Sequence, residues 1–156
     1  MSTEAVINAL QTLHAATEGI TSAPVLESYP TNMGNRALDN AGLGYPMVLT
    51  FPGEGAHLGA TGAGGKRIRT YQIYLLLQVY DEQAQAINAS NLVSFVDLLD
   101  AMHTAYIEAG ILDTDGDGRA WVMRGAGDIQ DSGLVMLNYA GADHYGATYQ
   151  VNVQEM

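Results

Sequence analysis

The chain has 156 residues, a formal net charge of −11, 47% hydrophobic residues and no cysteine. This length and apolar content predict a single folded domain over residues 1–156, and the lack of cysteine excludes disulfides, thiol nucleophiles and thiolate metal sites. The longest apolar run, Ile73 to Leu77, has five residues. A membrane-spanning helix needs about 20, so none is predicted.

The charge is distributed unevenly along the chain. Residues 1–78 carry four basic and five acidic residues, whereas residues 79–156 carry two basic and twelve acidic residues. Such acidity repels phosphate at long range and therefore disfavours nucleic-acid binding. The acidic half is either a solvated surface, or it faces a basic partner or lines a channel through which DNA must slide.

Apolar residues at helical spacing predict a first helix, which Ser2 or Thr3 can cap and Gly19 can end. Its apolar face consists of Val6, Ile7, Leu10, Leu13 and His14. Residues 25–29 lie between two prolines, which predicts a short extended piece.

The next part of the chain predicts a β-hairpin with a long loop. Residues 31–44, rich in Asn and Gly, indicate an exposed loop, and residues 45–51 a strand closed by Pro52-Gly53. Residues 53–65 contain six glycines, which is typical of a flexible hairpin loop. Residues 68–80 alternate in polarity and are the clearest strand, long enough that we expect one end to project beyond the core.

The second half predicts one more helix and three strands. The helix covers residues 88–109, capped at Asn88 or Ser90 and ended by Gly110. Its predicted apolar stripe is Leu92, Val96, Leu99, Met102 and Tyr106. The strands cover residues 119–124, 133–139 and 147–154. This order predicts an α+β fold, a mostly antiparallel sheet with two helices on one face and a long glycine-rich hairpin loop.

The glycine loop and the basic residues after it are a candidate subunit interface. Its residues are Gly59, Gly62, Gly64, Gly65, Lys66, Arg67 and Arg69. A phosphate-binding loop is disfavoured, because Arg67 stands where that motif has Ser or Thr and because a strand follows. We expect Arg67 and Arg69 near an exposed strand start, meeting acidic groups of another subunit. The alternatives are a plain hairpin loop and a solubilising cluster.

Asp113, Asp115 and Asp117, followed by Gly118, match the start of a calcium loop, in which alternate carboxylates converge on the ion. The match ends at position 12, where Arg124 replaces the bidentate Glu. A carboxylate from elsewhere in the fold could complete a Ca²⁺ site, and the alternative is a polar turn. No other cofactor is predicted.

Nothing in the sequence indicates catalysis. The four histidines are scattered and form no zinc-binding pair, and no nucleophile elbow or paired carboxylate motif is present. We therefore expect the protein not to be an enzyme.

The order and size of the predicted elements resemble the phage tail terminator family, also called tail completion or head–tail joining proteins. The resemblance comprises the short first helix, the Pro-flanked piece from Ala23 to Pro30, the strand of residues 45–51, the long loop, and the basic-to-apolar strand that begins at Lys66.

This resemblance implies a virion protein of the tail and neck region. It implies a hexameric ring that ends growth of the tail tube and joins the head. Its partners would be further copies of itself, the tail tube protein and the head–neck connector protein, with DNA passing through without specific binding. The open alternatives are a neck or head-completion connector protein and a small calcium-dependent binding module.

Overall fold

The computed structural model describes residues 2–31, 44–58, 66–80 and 87–156, with the backbone alone for residues 56–58. Helix α1 covers Thr3–Ala15, and the Ser2 hydroxyl caps it by accepting a hydrogen bond from the Ala5 amide. Helix α2 covers Ala89–Glu108 and is capped by Asn88. Gly110 follows it with φ +61°, a left-handed conformation that favours glycine. Both helices were predicted, but α1 ends at Ala15 with Ala16 as its C-cap, four residues before the predicted end at Gly19.

Among the described residues, six antiparallel strands form one sheet. They are β1 (Met47–Leu58), β2 (Lys66–Val79), β3 (Ala120–Val122), β4 (Ile129–Asp131), β5 (Val135–Tyr139) and β6 (Ala142–Glu155). Strand β2 lies between β1 and β6, and the three short strands pair in turn with the far edge of β6. Both helices pack on one face of the sheet, so the predicted α+β fold is confirmed.

The structure corrects several predicted strand boundaries. Residues Leu26–Ser28 form a 3-10 turn instead of an extended piece, and the Leu26 amide donates to the Asn8 side chain. Strand β1 does not close at Pro52-Gly53 but continues through a bulge to Leu58. An edge strand tolerates proline, because one side of its backbone needs no ladder partner. Strand β4 was not predicted.

Strand β2 does not project beyond the core. It pairs with β6 from Arg67 opposite Glu155 to Val79 opposite His144, because β6 is equally long. The loop predicted over residues 31–44 falls mainly on residues 32–43, which lie outside the described residues, as do residues 59–65 between β1 and β2.

Helix α2 buries its predicted contacts Met102 and Tyr106, but its first half buries a different face from the predicted one. The buried residues are Phe95, Leu98, Met102 and Tyr106. The predicted contacts Leu92 and Val96 are instead 42% and 54% exposed. The helix is apolar over more than one face, and its packing on the sheet selects the face that contains Phe95 and Leu98.

A fully buried polar network connects α1 to β1 and α2. Gln11 donates its side-chain NH₂ to the backbone oxygens of Pro24 and Val48, and its Oε1 accepts from the Thr50 hydroxyl. His14 Nδ1 lies 3.0 Å from the same Oε1, and its Nε2 lies 2.7 Å from the Tyr106 hydroxyl. Because Oε1 can only accept, Nδ1 carries the proton and Nε2 accepts from Tyr106.

This arrangement suits a neutral imidazole. Burial lowers the pKa of His14 to about 3, because a charged ring would be desolvated there. The network thus satisfies each polar side chain without placing a charge in the core.

The opposite face of the sheet carries a smaller apolar cluster. Its buried residues are Met47, Leu49, Leu76 and Leu137. Phe51 contacts the rings of Tyr29, Tyr74 and Tyr139 beside it, so this face also excludes water near β1 and β5. In the described ranges, no helix is long and apolar enough to cross a membrane.

Candidate functional site

The predicted subunit interface falls at the start of β2. Gly59, Gly62, Gly64 and Gly65 lie outside the described residues, so their predicted role stays a prediction. Lys66 is exposed, whereas Arg67 and Arg69 are half-buried. The expectation that both arginines lie at an exposed strand start is therefore wrong.

Arg67 is engaged within its own chain. Its guanidinium forms an ion pair with Glu155, whose side chain is only 2% exposed, and Tyr71 donates its hydroxyl to the other carboxylate oxygen at 2.6 Å. Desolvation and this bond to Glu155 raise the pKa of Tyr71, which therefore stays protonated and donates. An acidic residue of the second half does meet the basic cluster here, but in the same subunit.

Arg69 is also held within the chain. Its Nη1 donates to the Gly53 carbonyl oxygen at 2.8 Å, and its guanidinium covers Gly55 closely enough that a Cβ there would lie 2.9 Å from Cζ. Gly55 in the β1 bulge thus makes room for this arginine. Replacing Arg67 and Arg69 by Glu would disturb the fold, because a carboxylate at 67 would face the buried Glu155.

The pairing of β2, β6 and β3 brings two exposed basic side chains close together at one end of the sheet. Arg67, Glu155 and Ala120 are aligned across the three strands, and Arg119 exchanges backbone hydrogen bonds with Met156.

Lys66 and Met156 are therefore neighbours at this edge, beside Arg119. All three are exposed, and Met156 is 50% exposed. We call Lys66, Arg119 and Met156 the cationic sheet end.

Sequence reasoning found only Lys66 of these three residues. Arg119 is 53 positions from Lys66, and only the sheet register makes them neighbours. The one available signal was the scarcity of basic residues, six in the whole chain, which makes any pair of exposed ones noteworthy.

The Asp-rich segment forms a tight turn beside the first turn of α1. Asp115 has φ +57°, and Gly116 and Gly118 also have left-handed backbones. The Asp113 carboxylate accepts from the Asp115 amide at 3.1 Å, and the Asp117 carboxylate accepts from the Ser2 amide at 2.8 Å.

The bonds from Ser2 lower the pKa of Asp117, because they favour its charged form. A depression of about 550 Å³ separates the turn from α1. Within the described residues, no three His, Asp or Glu side chains are grouped as metal ligands. The backbone bonds explain Asp113 and Asp117 as turn residues. The calcium role of Asp113, Asp115 and Asp117 stays a prediction.

A second exposed surface lies on α2. Leu92, Val93 and Val96 are 42%, 64% and 54% exposed, and Asp97 and Asp100 are exposed beside them. We call these five residues the α2 outer face. It combines apolar side chains with carboxylates, the complement of the cationic sheet end.

Comparison with known proteins assigns no family to the chain. No protein-family model matches it, and no curated protein is detectably similar.

Proposed function

We propose that the protein is a structural component of a phage virion, which forms a ring at the head-proximal end of the tail tube. The ring ends growth of the tube and provides the surface that the head joins. The proposal rests on the resemblance in element order, and the α+β architecture agrees with the fold that the resemblance implies.

The observation that carries the proposal is the separation of complementary surfaces on one small chain. Lys66 and Arg119 are exposed at one end of the sheet, and Asp97 and Asp100 are exposed on α2. A chain with two different, mutually complementary surfaces associates head to tail. Such contacts close into a ring when the rotation between subunits allows it.

The overall charge suits the passage of DNA. A net charge of −11 repels phosphate, so a ring of these subunits would let DNA slide through without holding it. The partners of the ring would be the tail tube protein on one side and the head–neck connector protein on the other.

The experiment is capping of tail tubes by the purified protein. Tubes assembled from the tube protein of the same virus are mixed with the full chain, and their ends and lengths are measured by negative-stain electron microscopy. We expect a six-membered ring on one end of each tube and arrest of further growth.

Tubes that keep growing with bare ends, at protein concentrations well above those of the tubes, would contradict the proposal. Rings that bind connector-bearing heads but never tubes would assign the protein to the neck instead.

A further inference from the structure

The α2 outer face is an apolar surface that the described part of the chain leaves uncovered. Leu92, Val93 and Val96 fall on two adjacent turns of one helix, so their side chains form one continuous patch. Val93 is 64% exposed, the most exposed of the three. Isolated exposed aliphatic residues are ordinary, but a group on one helix face beside carboxylates is typical of a contact surface.

The carboxylates restrict what can cover this patch. Asp97 and Asp100 are exposed beside it. A two-fold contact between identical α2 faces would place these carboxylates against their own copies, and like charges across an interface are unfavourable. The covering surface must therefore be a different one, with apolar and basic side chains together.

The cationic sheet end has this composition. Met156 supplies an exposed apolar side chain, and Lys66 and Arg119 flank it. Nearby Arg67 is neutralised within the chain by Glu155, so Lys66 and Arg119 are the cations that this end presents outward.

The two surfaces lie apart on the molecule. The start of α2 is tied to Gln78 near the end of β2, because Asn91 Nδ2 donates to its Oε1 at 2.7 Å. Farther along α2, Asp100 lies level with the middle of β2, because Tyr149, the partner of Ile73, donates its hydroxyl to the Leu99 carbonyl oxygen. Lys66 is seven positions before Ile73 on β2, which corresponds to about 23 Å at the usual rise of a β-strand. The surfaces therefore cannot neutralise each other within one chain, but they can meet between neighbours.

We infer that the cationic sheet end of one subunit binds the α2 outer face of the next copy. Met156 packs on Leu92, Val93 and Val96, while Lys66 and Arg119 pair with Asp97 and Asp100. This inference rests on the proposed function, since it names the two surfaces through which the proposed ring is built.

The test is a charge exchange between the two surfaces. One variant carries Lys66→Glu with Arg119→Glu, and the other carries Asp97→Lys with Asp100→Lys. In an assembly of either variant alone, every contact between subunits brings like charges together. We therefore expect capping of tail tubes to fall about tenfold or more.

A 1:1 mixture of the two variants restores attraction in every contact between unlike subunits. We expect capping to recover, with native mass spectrometry showing rings in which the two variants alternate. Circular dichroism of each variant alone confirms that it is folded.

Matched controls separate this contact from general charge effects. Glu27→Lys with Asp143→Lys makes the same charge change at two exposed carboxylates outside the α2 outer face, and it should cap like the wild type. For the apolar part, Val93→Ser with Val96→Ser should reduce capping.

The matched apolar control is Leu134→Ser with Met136→Ser, two exposed residues at β5 that lie outside both surfaces. It should leave capping unchanged.

Three outcomes would overturn the inference. If both charge variants cap normally while the wild type forms rings, the ring is real but uses other surfaces. If the α2 variants form rings yet no longer bind tubes, a different protein covers this face. If the mixture of charge variants fails to recover, the two surfaces do not face each other. A wild type that neither assembles nor caps would instead refute the proposed function.

Discussion

Acid should destabilise the protein through His14 well before the carboxylates titrate. In the folded chain His14 is fully buried and neutral, with a pKa of about 3, and in the unfolded chain it has its ordinary value near 6.5. Between these two pH values the unfolded state binds one more proton than the folded state. Stability is therefore complete above pH 6.5 and is lost as the pH falls toward 3.

The magnitude follows from proton linkage. For one group with these two pKa values, lowering the pH from 7 to 5 costs about 2 kcal/mol, since each full pH unit inside the window costs about 1.4 kcal/mol. That is a substantial part of the 5–15 kcal/mol typical of a domain. With a urea slope of about 2 kcal/mol/M, the unfolding midpoint should fall by about 1 M.

The assay is urea unfolding at pH 7, 6 and 5, followed by circular dichroism, for the wild type, His14→Gln and His103→Gln. We expect His14→Gln to be less stable at pH 7 but to lose much less stability on going to pH 5, because glutamine does not titrate. The contributions of the other histidines and of the carboxylates are common to both proteins and cancel in the comparison. His103 is exposed and serves as the control.

Equal losses for the wild type and His14→Gln would refute the reasoning. A second readout needs no variant: the His14 Cε1 proton resonance should stay constant between pH 8 and pH 5 in the folded protein.

Other contacts give predictions of their own. Gly146→Ala should destabilise the protein by about 1–3 kcal/mol, because the new Cβ would lie 1.9 Å from the Leu75 carbonyl oxygen; a urea midpoint equal to that of the wild type would contradict this. Arg67→Met should cost about 3 kcal/mol in urea unfolding, and more than Glu155→Gln, because it leaves the more deeply buried partner charged without its cation; the opposite order would contradict it. If the Asp-rich turn binds calcium, millimolar CaCl₂ raises Tm and Asp115→Ala removes the rise; identical melting of both proteins in calcium and in chelator leaves the segment a turn.

The sequence by itself determined the elements with strong periodicity and some of their ends. Helix α1 begins at its Ser2 cap as predicted, α2 is followed by Gly110 as predicted, and β2 occupies nearly the predicted range. These features depend only on residues close in the sequence: a capping side chain, a glycine in a left-handed conformation, or polarity that alternates with a period of two residues. The order of the elements then restricted the fold to helices on one face of an antiparallel sheet.

Only the tertiary structure determined which residues distant in the sequence contact each other. The Arg67–Glu155 ion pair joins residues 88 positions apart, so sequence reasoning placed Arg67 on the surface when a strand pairing half-buries it.

Only the tertiary structure likewise determined which side chains of α2 are exposed. Helix α2 has more apolar residues than one face can bury, and only its packing on the sheet decided that Leu98 is covered and Val96 exposed. Local pattern specifies where a helix or strand forms, whereas burial and charge pairing depend on which distant strand is placed beside it.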